Sequence, residues 1–324
     1  MKNVFVVIPT IRKVAFLNNW KDQFHQVSII ICEDRPNKSI KIPKVGKKIY
    51  HYSWQEIEQD LKNKSWIIPR KVSAIRNYGF LKAYQLGAEV IITLDDDCYP
   101  VKNHHLVNQH LANLSLTISK RWINTNPDIR HLYTRGMPYL NRNQQPVMLS
   151  HGLWTGVLDH DGPTHLQHLN FRAKFAEHFL QIIPSGAYFP MCSMNLAFKR
   201  EITPLMYQPL MGENSKGYRW QYDRFDDIWA GIFAKKIIDH LGYGVVNGAP
   251  FVKHRKASDP FDNLKKQAIG IEMNEKLWQI VDQVKLSKKS PKTCYLELAK
   301  KIKFPKEKYF EKLREAMIIW ADLF

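Results

Sequence analysis

The chain has 324 residues, with 48 Lys and Arg against 30 Asp and Glu, a formal net charge of +18. At 44% hydrophobic and 12% aromatic residues it can fill a core, which excludes wholesale disorder. No apolar run approaches the roughly 20 residues needed to span a bilayer, so the chain is not expected to be membrane-spanning.

The cationic excess admits three partner classes: nucleic acid, an anionic membrane surface, or a phosphorylated small substrate. Much of the charge lies in residues 285–312, where it reads as a solvated helical face. No zinc-finger, KH or RNP-type signature appears, and no nucleic-acid partner is assigned. The four cysteines, Cys32, Cys98, Cys192 and Cys294, include no C-x-x-C pair. Zinc and a disulfide framework are therefore poorly supported, and a reducing cytoplasm is expected.

Residues 3–10, "NVFVVIPT", read as a buried first strand that stops at Pro9-Thr10; the apolar stretch is too short for a signal peptide. Residues 27–34, "VSIIICED", form a second strand that delivers Glu33 and Asp34 at its end. Ser53 with Glu56 makes a capping box that starts a helix. Residues 73–87 read as an amphipathic helix stopped by Gly87. Residues 88–94 are the next strand, and Asp95-Asp96-Asp97 follow at once.

Apolar strands alternating with helices imply a mostly parallel sheet covered on both faces. Ligands of such sheets bind outside the carboxyl ends of the strands, so the three strand ends should meet at one cleft. Beyond residue 103 the pattern is mixed, with Gly- and Pro-rich loops between residues 135 and 163. One α/β domain over residues 1–273 is expected, followed by a helical extension over residues 274–324.

Three adjacent carboxylates repel unless a cation or hydrogen-bond donors hold them. Hard cations such as Mg²⁺ and Mn²⁺ bridge carboxylates to phosphates, and Asp95 and Asp97 have the D-x-D spacing for it. An Asp-rich turn with solvated side chains is the competing reading, and two-metal polymerase or nuclease sites use paired acids as well. Arg70, Lys71 and Arg76 surround a helix start that itself favours anions. Arg70, in a loop beside Pro69, is read as functional and Lys71 as surface charge.

The blocks "IIPRKVSAIRNYGF", "LDDDCYP", "SHGLWTGVLDHDGPT", "FPMCSMNLAFKRE", "RFDDIWAGIFAKKIIDHLGYGV" and "KHRKASDPFDNLKKQA" together resemble the reversibly glycosylated polypeptide family. Its best-known members are the plant UDP-arabinopyranose mutases. The resemblance implies a GT-A type nucleotide-sugar-binding fold, Mn²⁺ or Mg²⁺, a UDP-sugar substrate and a setting in cell-wall biogenesis. It assigns Asp95, Asp96 and Asp97 to the metal and sugar-nucleotide cluster. Pro9, Thr10, Glu33 and Asp34, with Arg70 and Arg76, then hold the nucleotide, and His254 completes the metal site. Asp226 and Asp227 precede an apolar helix; one is expected to cap it and the other to face the sugar. Asp159 and Asp161 are expected to bind hydroxyls or order a loop.

Mutases of this family carry a reversible sugar adduct on an arginine and need a second one, which correspond here to Arg135 and Arg142. Arginine is a poor nucleophile, so a diphosphate clamp is the rival role for both. Ser193, Lys199, Gly156 and His160 depart from the plant pattern, which leaves the sugar open. The leading activity is interconversion of UDP-arabinopyranose and UDP-arabinofuranose. The alternatives are a glycosyltransferase acting on an envelope glycan or protein, and a basic nucleic-acid or membrane-surface binder. Homo- or hetero-oligomers are left open.

Overall fold

A computed structural model describes residues 2–125, 132–174, 179–255 and 259–324. Among these, ten strands occur: β1 (Val4–Thr10), β2 (Ser28–Glu33), β3 (Lys48–Tyr52), β4 (Val90–Leu94), β5 (Cys98–Pro100), β6 (Thr117–Ile118), β7 (Gln145–Gly156), β8 (Leu180–Ile183), β9 (Asn195–Lys199) and β10 (Gly244–His254). The helices are α1 (Lys21–Phe24), α2 (Trp54–Leu61), α3 (Arg76–Gln85), α4 (Leu106–Leu114), α5 (Gly162–Gln167), α6 (Asp226–His240), α7 (Pro260–Asp282), α8 (Pro291–Lys301) and α9 (Lys308–Ala321). None is long and apolar enough to cross a membrane.

The strands form one mixed sheet in the order β3-β2-β1-β4-β9-β7-β10-β5, with β6 on β7 and β8 on β10. The first four run parallel, the order of one half of a doubly wound nucleotide-binding sheet. β9 is antiparallel to both β4 and β7, and β10 is parallel to β7. The carboxyl ends of β1, β2, β4, β7 and β10 therefore share one edge with the start of β9. This is the α/β architecture expected from the alternating pattern.

Every residue of β1 and β2 is buried, because both faces of the sheet are covered. One apolar layer packs Val7, Ile30 and Ile91 against Tyr78 and Phe80 of α3. The other packs Val6, Ile8, Ile29 and Ile92 against Trp20 and Phe24. Adjacent strand residues point to opposite layers, as the two-residue period requires.

The local start and stop signals act as expected. The Ser53 amide donates to Glu56 Oε2 at 2.8 Å, opening α2. Gly87 follows α3 at φ +77°, where a side chain would be strained. The segment before α3 is a 3-10 turn over Ser73–Ile75, so the α-helix itself begins at Arg76.

α7 runs unbroken through residue 274, the position expected to open the extension. The last helices join the main core: Tyr309 and Phe310 pack around Trp229 of α6, and Trp320 donates to the Pro204 carbonyl at 3.0 Å.

Candidate active site at the carboxyl edge of the sheet

The shared edge holds a cleft of about 590 Å³. Its floor is made by the ends of β1, β4 and β10 and the segment entering β9. The start of α6 closes one side, and His165 of α5 with Asn263 and Gln267 of α7 contribute another wall.

The three acids after β4 each have their own donor. Arg76, with a side chain only 1% exposed, pairs with Asp95 and also donates to Thr93 Oγ1 and the Ser193 carbonyl, both at 2.6 Å. Asp96 accepts from Thr10 Oγ1 at 2.6 Å and pairs with Arg12. Asp97 lies 3.6 Å from His254 Nε2 and 3.4 Å from Arg12. Burial disfavours ionisation of Asp97, but His254 and Arg12 outweigh it and hold its pKa below the usual range. Asp96 goes the other way: burial prevails over Thr10 and Arg12 and raises it. The charge repulsion noted in the sequence is thus relieved by two arginines and a histidine.

His254 Nδ1 lies 2.8 Å from the Val157 carbonyl, so that nitrogen carries a proton and Nε2 is the atom turned to Asp97. Among the described residues no group of three His, Cys, Asp or Glu side chains is arranged to hold a metal. Asp97 and His254 are a pair of the right chemistry, an oxygen and an imidazole nitrogen, which needs ligand oxygens to complete it.

Asp226 and Asp227 open α6, but the N-cap is Phe225, with no side-chain cap. The expectation that one acid caps this helix is corrected. Asp226 is buried and accepts from Ser73 Oγ at 2.9 Å. Asp227 accepts from the Ser193 amide at 2.9 Å and from Ser193 Oγ at 3.1 Å. Burial and the nearby charges of Asp226 and Asp159 push Asp227 up to about 7. Asp159 accepts from Cys192 Sγ at 3.1 Å; it is open to the cleft, yet the surrounding walls raise its pKa too.

At the other end of the cleft, Asp34 accepts from Trp54 Nε1 at 2.7 Å and from the Val72 amide at 3.1 Å. Burial pushes it up to about 6. Pro9 and Thr10 line the cleft beside it.

Glu33, Arg70, Arg135 and Arg142 are not among the residues that line this cleft. Glu33 faces the opposite layer, where it accepts from Ser39 and from the Ile40 amide and lies 2.7 Å from His51 Nε2. Arg70 is buried, bonded to Glu58 at 2.6 Å and stacked on Trp54, while the neighbouring Lys71 does line the cleft. Arg135 is exposed. Arg142 lies over the rings of Tyr133 and Tyr139 and donates to the Met137 carbonyl at 3.0 Å. Asp161 caps α5. Arg12 and His165, which lie outside the quoted blocks, and Ser73, Arg224, Asn263 and Gln267, which lie inside them without an assigned role, also line the cleft.

The family model described as "Reversibly glycosylated polypeptide" matches residues 1–324. The chain is 40% identical to "Probable UDP-arabinopyranose mutase 1" of Pisum sativum, over 98% of this chain and 89% of that protein. It is 37% identical to "UDP-arabinopyranose mutase 1" of Arabidopsis thaliana, over 98% and 90%. It is 35% identical to "UDP-arabinopyranose mutase 1" of Oryza sativa subsp. japonica, over 98% and 89%.

Proposed function

Because the chain belongs to the reversibly glycosylated polypeptide family, matched along its whole length, we propose that it is an enzyme interconverting UDP-arabinopyranose and UDP-arabinofuranose. The observation that carries this reading is the single cleft that gathers Asp95–Asp97, His254, Asp159, Asp226 and Asp227 with Arg12, Arg76 and Arg224. Cations and an acid cluster suit a diphosphate; the further acids suit sugar hydroxyls. The names of the plant relatives supply the sugar.

The donor set fits a divalent cation, Mn²⁺ or Mg²⁺, held by Asp97 and His254, with Asp95 nearby. When bound, such an ion neutralises the diphosphate and so stabilises UDP as the departing group. Arg76, buried and paired with Asp95, holds that acid in place. Pro9, Thr10 and Asp34 border the end of the cleft proposed for the nucleoside.

Changing ring size breaks the bond from C1 to UDP, exchanges O5 for O4 as the ring oxygen on C1, and remakes the bond to UDP. One hydroxyl gains a proton and the other loses one. Asp227, with its pKa near 7, is suited to take and return that proton near neutral pH. Asp159 and Ser193 border the same space and are proposed to orient the hydroxyls. The walls from α5 and α7 are proposed to shield the bound sugar from water, which would otherwise hydrolyse it once activated. The four cysteines are free and buried, which fits a reducing compartment such as the cytoplasm.

The test is incubation of the purified protein with Mn²⁺ and UDP-arabinofuranose, without any acceptor. UDP-arabinopyranose is expected to form and predominate, because the six-membered ring is less strained. Intact substrate that is consumed only after a glycan or peptide acceptor is added would overturn the mutase reading in favour of a glycosyltransferase.

A further inference from the structure

Arg12 is the most exposed of the groups that neutralise the acid cluster. Its side chain is 44% exposed, against 1% for Arg76 and 9% for His254. Arg76 is locked by Asp95, Thr93, Ser193 and the Ser73 carbonyl. Arg12 is anchored at its root, where its amide donates to Thr10 Oγ1 at 3.0 Å and that hydroxyl donates to Asp96 at 2.6 Å, and at its head, where Nε donates to Asp96 Oδ2 at 3.1 Å. The guanidinium bridges Asp96 and Asp97, pairing closely with the first and reaching the second at 3.4 Å.

Asp97 is the least firmly held of the three acids. Its contacts, 3.4 Å to Arg12 and 3.6 Å to His254, exceed the about 2.7–2.9 Å of a tight charge-assisted hydrogen bond. A divalent ion approaching Asp97 meets the positive guanidinium first, and the two repel. A diphosphate in the same cleft offers that guanidinium pairs of non-bridging oxygens on tetrahedral phosphorus, which its fork matches in two parallel bonds.

We propose that Arg12 is the resident counter-cation of the acid cluster and that it turns from Asp97 to the diphosphate when the nucleotide binds, so that uptake of the metal depends on the nucleotide. This inference rests on the metal-dependent UDP-sugar reading. Arg12 is then a substrate-binding residue that also delays the ion until there is a phosphate for it to bridge. Linkage makes the effect reciprocal: the ion must tighten UDP by the factor by which UDP tightens the ion.

Mn²⁺ binding followed by loss of the free-ion paramagnetic resonance signal, with and without UDP, tests it without recourse to turnover. In wild type, UDP is expected to tighten Mn²⁺ binding. In Arg12→Gln, Mn²⁺ alone should bind about fivefold or more tightly than to wild type, and the enhancement by UDP should shrink, within the usual range of such couplings. Arg12→Lys keeps the charge but not the fork, so Mn²⁺ alone should bind as in wild type while UDP binds more weakly. It also decides the matter if Arg12→Gln does not fold. Unchanged or weaker binding of Mn²⁺ alone to folded Arg12→Gln, or wild-type UDP affinity in Arg12→Lys, overturns the proposal for Arg12 only. No Mn²⁺ binding by wild type with UDP overturns the metal-dependent reading and this inference with it.

Discussion

His254 turns its Nε2 to Asp97 at 3.6 Å because its Nδ1 is committed to the Val157 carbonyl at 2.8 Å. A backbone carbonyl thus selects which nitrogen faces the acid cluster. On the proposed function, UDP affinity should fall about tenfold or more in Asp97→Asn and in His254→Ala, a loss of the size seen when metal sites are disturbed. Chelation of wild type by EDTA should do the same. Calorimetry measures it, and equal affinity in all four samples would remove the metal from the account.

Asp227 supplies a pH dependence. Burial and its acidic neighbours push its pKa in the folded protein up to about 7, above the roughly 4 of an aspartate in an unfolded chain, so between those values the folded protein binds the extra proton. Its contribution to stability is therefore present at low pH and lost as pH rises from about 4 towards 7. The melting temperature of Asp227→Asn should change less steeply than that of wild type across this interval. Parallel profiles would show that Asp227 titrates like an ordinary aspartate.

Arg76 is a buried cation with four partners, and Asp226 and Asp227 also lie within its field. Arg76→Met would leave Asp95 without its partner and buried carbonyls unmatched. We expect a loss of about 3–5 kcal/mol in denaturant unfolding, the range for breaking one side of a buried pair. A variant as stable as wild type would mean that the cluster relaxes into water.

Glu33 and Asp34 are neighbours with different tasks. Glu33→Gln should cost about 1–3 kcal/mol of stability, through its buried donors, and leave UDP affinity unchanged. Asp34→Ala should weaken UDP. The reverse pattern, measured by calorimetry and unfolding together, would mean that the strand end is turned over when nucleotide is present.

Arg135 and Arg142 do not line the cleft, so alanine at either should leave UDP affinity unchanged. The same variants in the isomer assay report on the covalent scheme. Loss of interconversion at full UDP affinity, with a pentose on Arg135 by intact mass, would show that this loop reaches the sugar during turnover.

These contrasts show what one-dimensional pattern can carry. The strands, the capping box at Ser53, the stop at Gly87 and the acids after β4 are local signals, and each is legible without tertiary information. Side-chain direction at a strand end is not. Glu33 and Asp34 look equivalent as text, but the two-residue period sends one to the cleft and the other to Ser39 and His51. Sequence context favours Arg70 over Lys71 for the cleft, and the structure has the reverse, because Trp54 and Glu58, which engage Arg70, come from a different helix. Phe225 holds the cap position of α6, and the first turn's acids are engaged by Ser73 and Ser193 instead, partners distant in sequence. Asn263 and Gln267 lie inside a block that carries the family resemblance, yet nothing in it marks them individually: polar residues on a long helix look like a solvated face until another element makes them a wall.

That helix ties two distant parts of the molecule into one beam. At its beginning Gln267 accepts from the Gly162 amide at 2.6 Å, beside the cleft; near its end Leu277 and Val281 are buried in the core that α8 and α9 complete. The carboxyl-terminal helices are thus an abutment for the wall of the pocket, and shortening the chain behind α7 would loosen the far end of a lever whose near end shapes the space for the sugar.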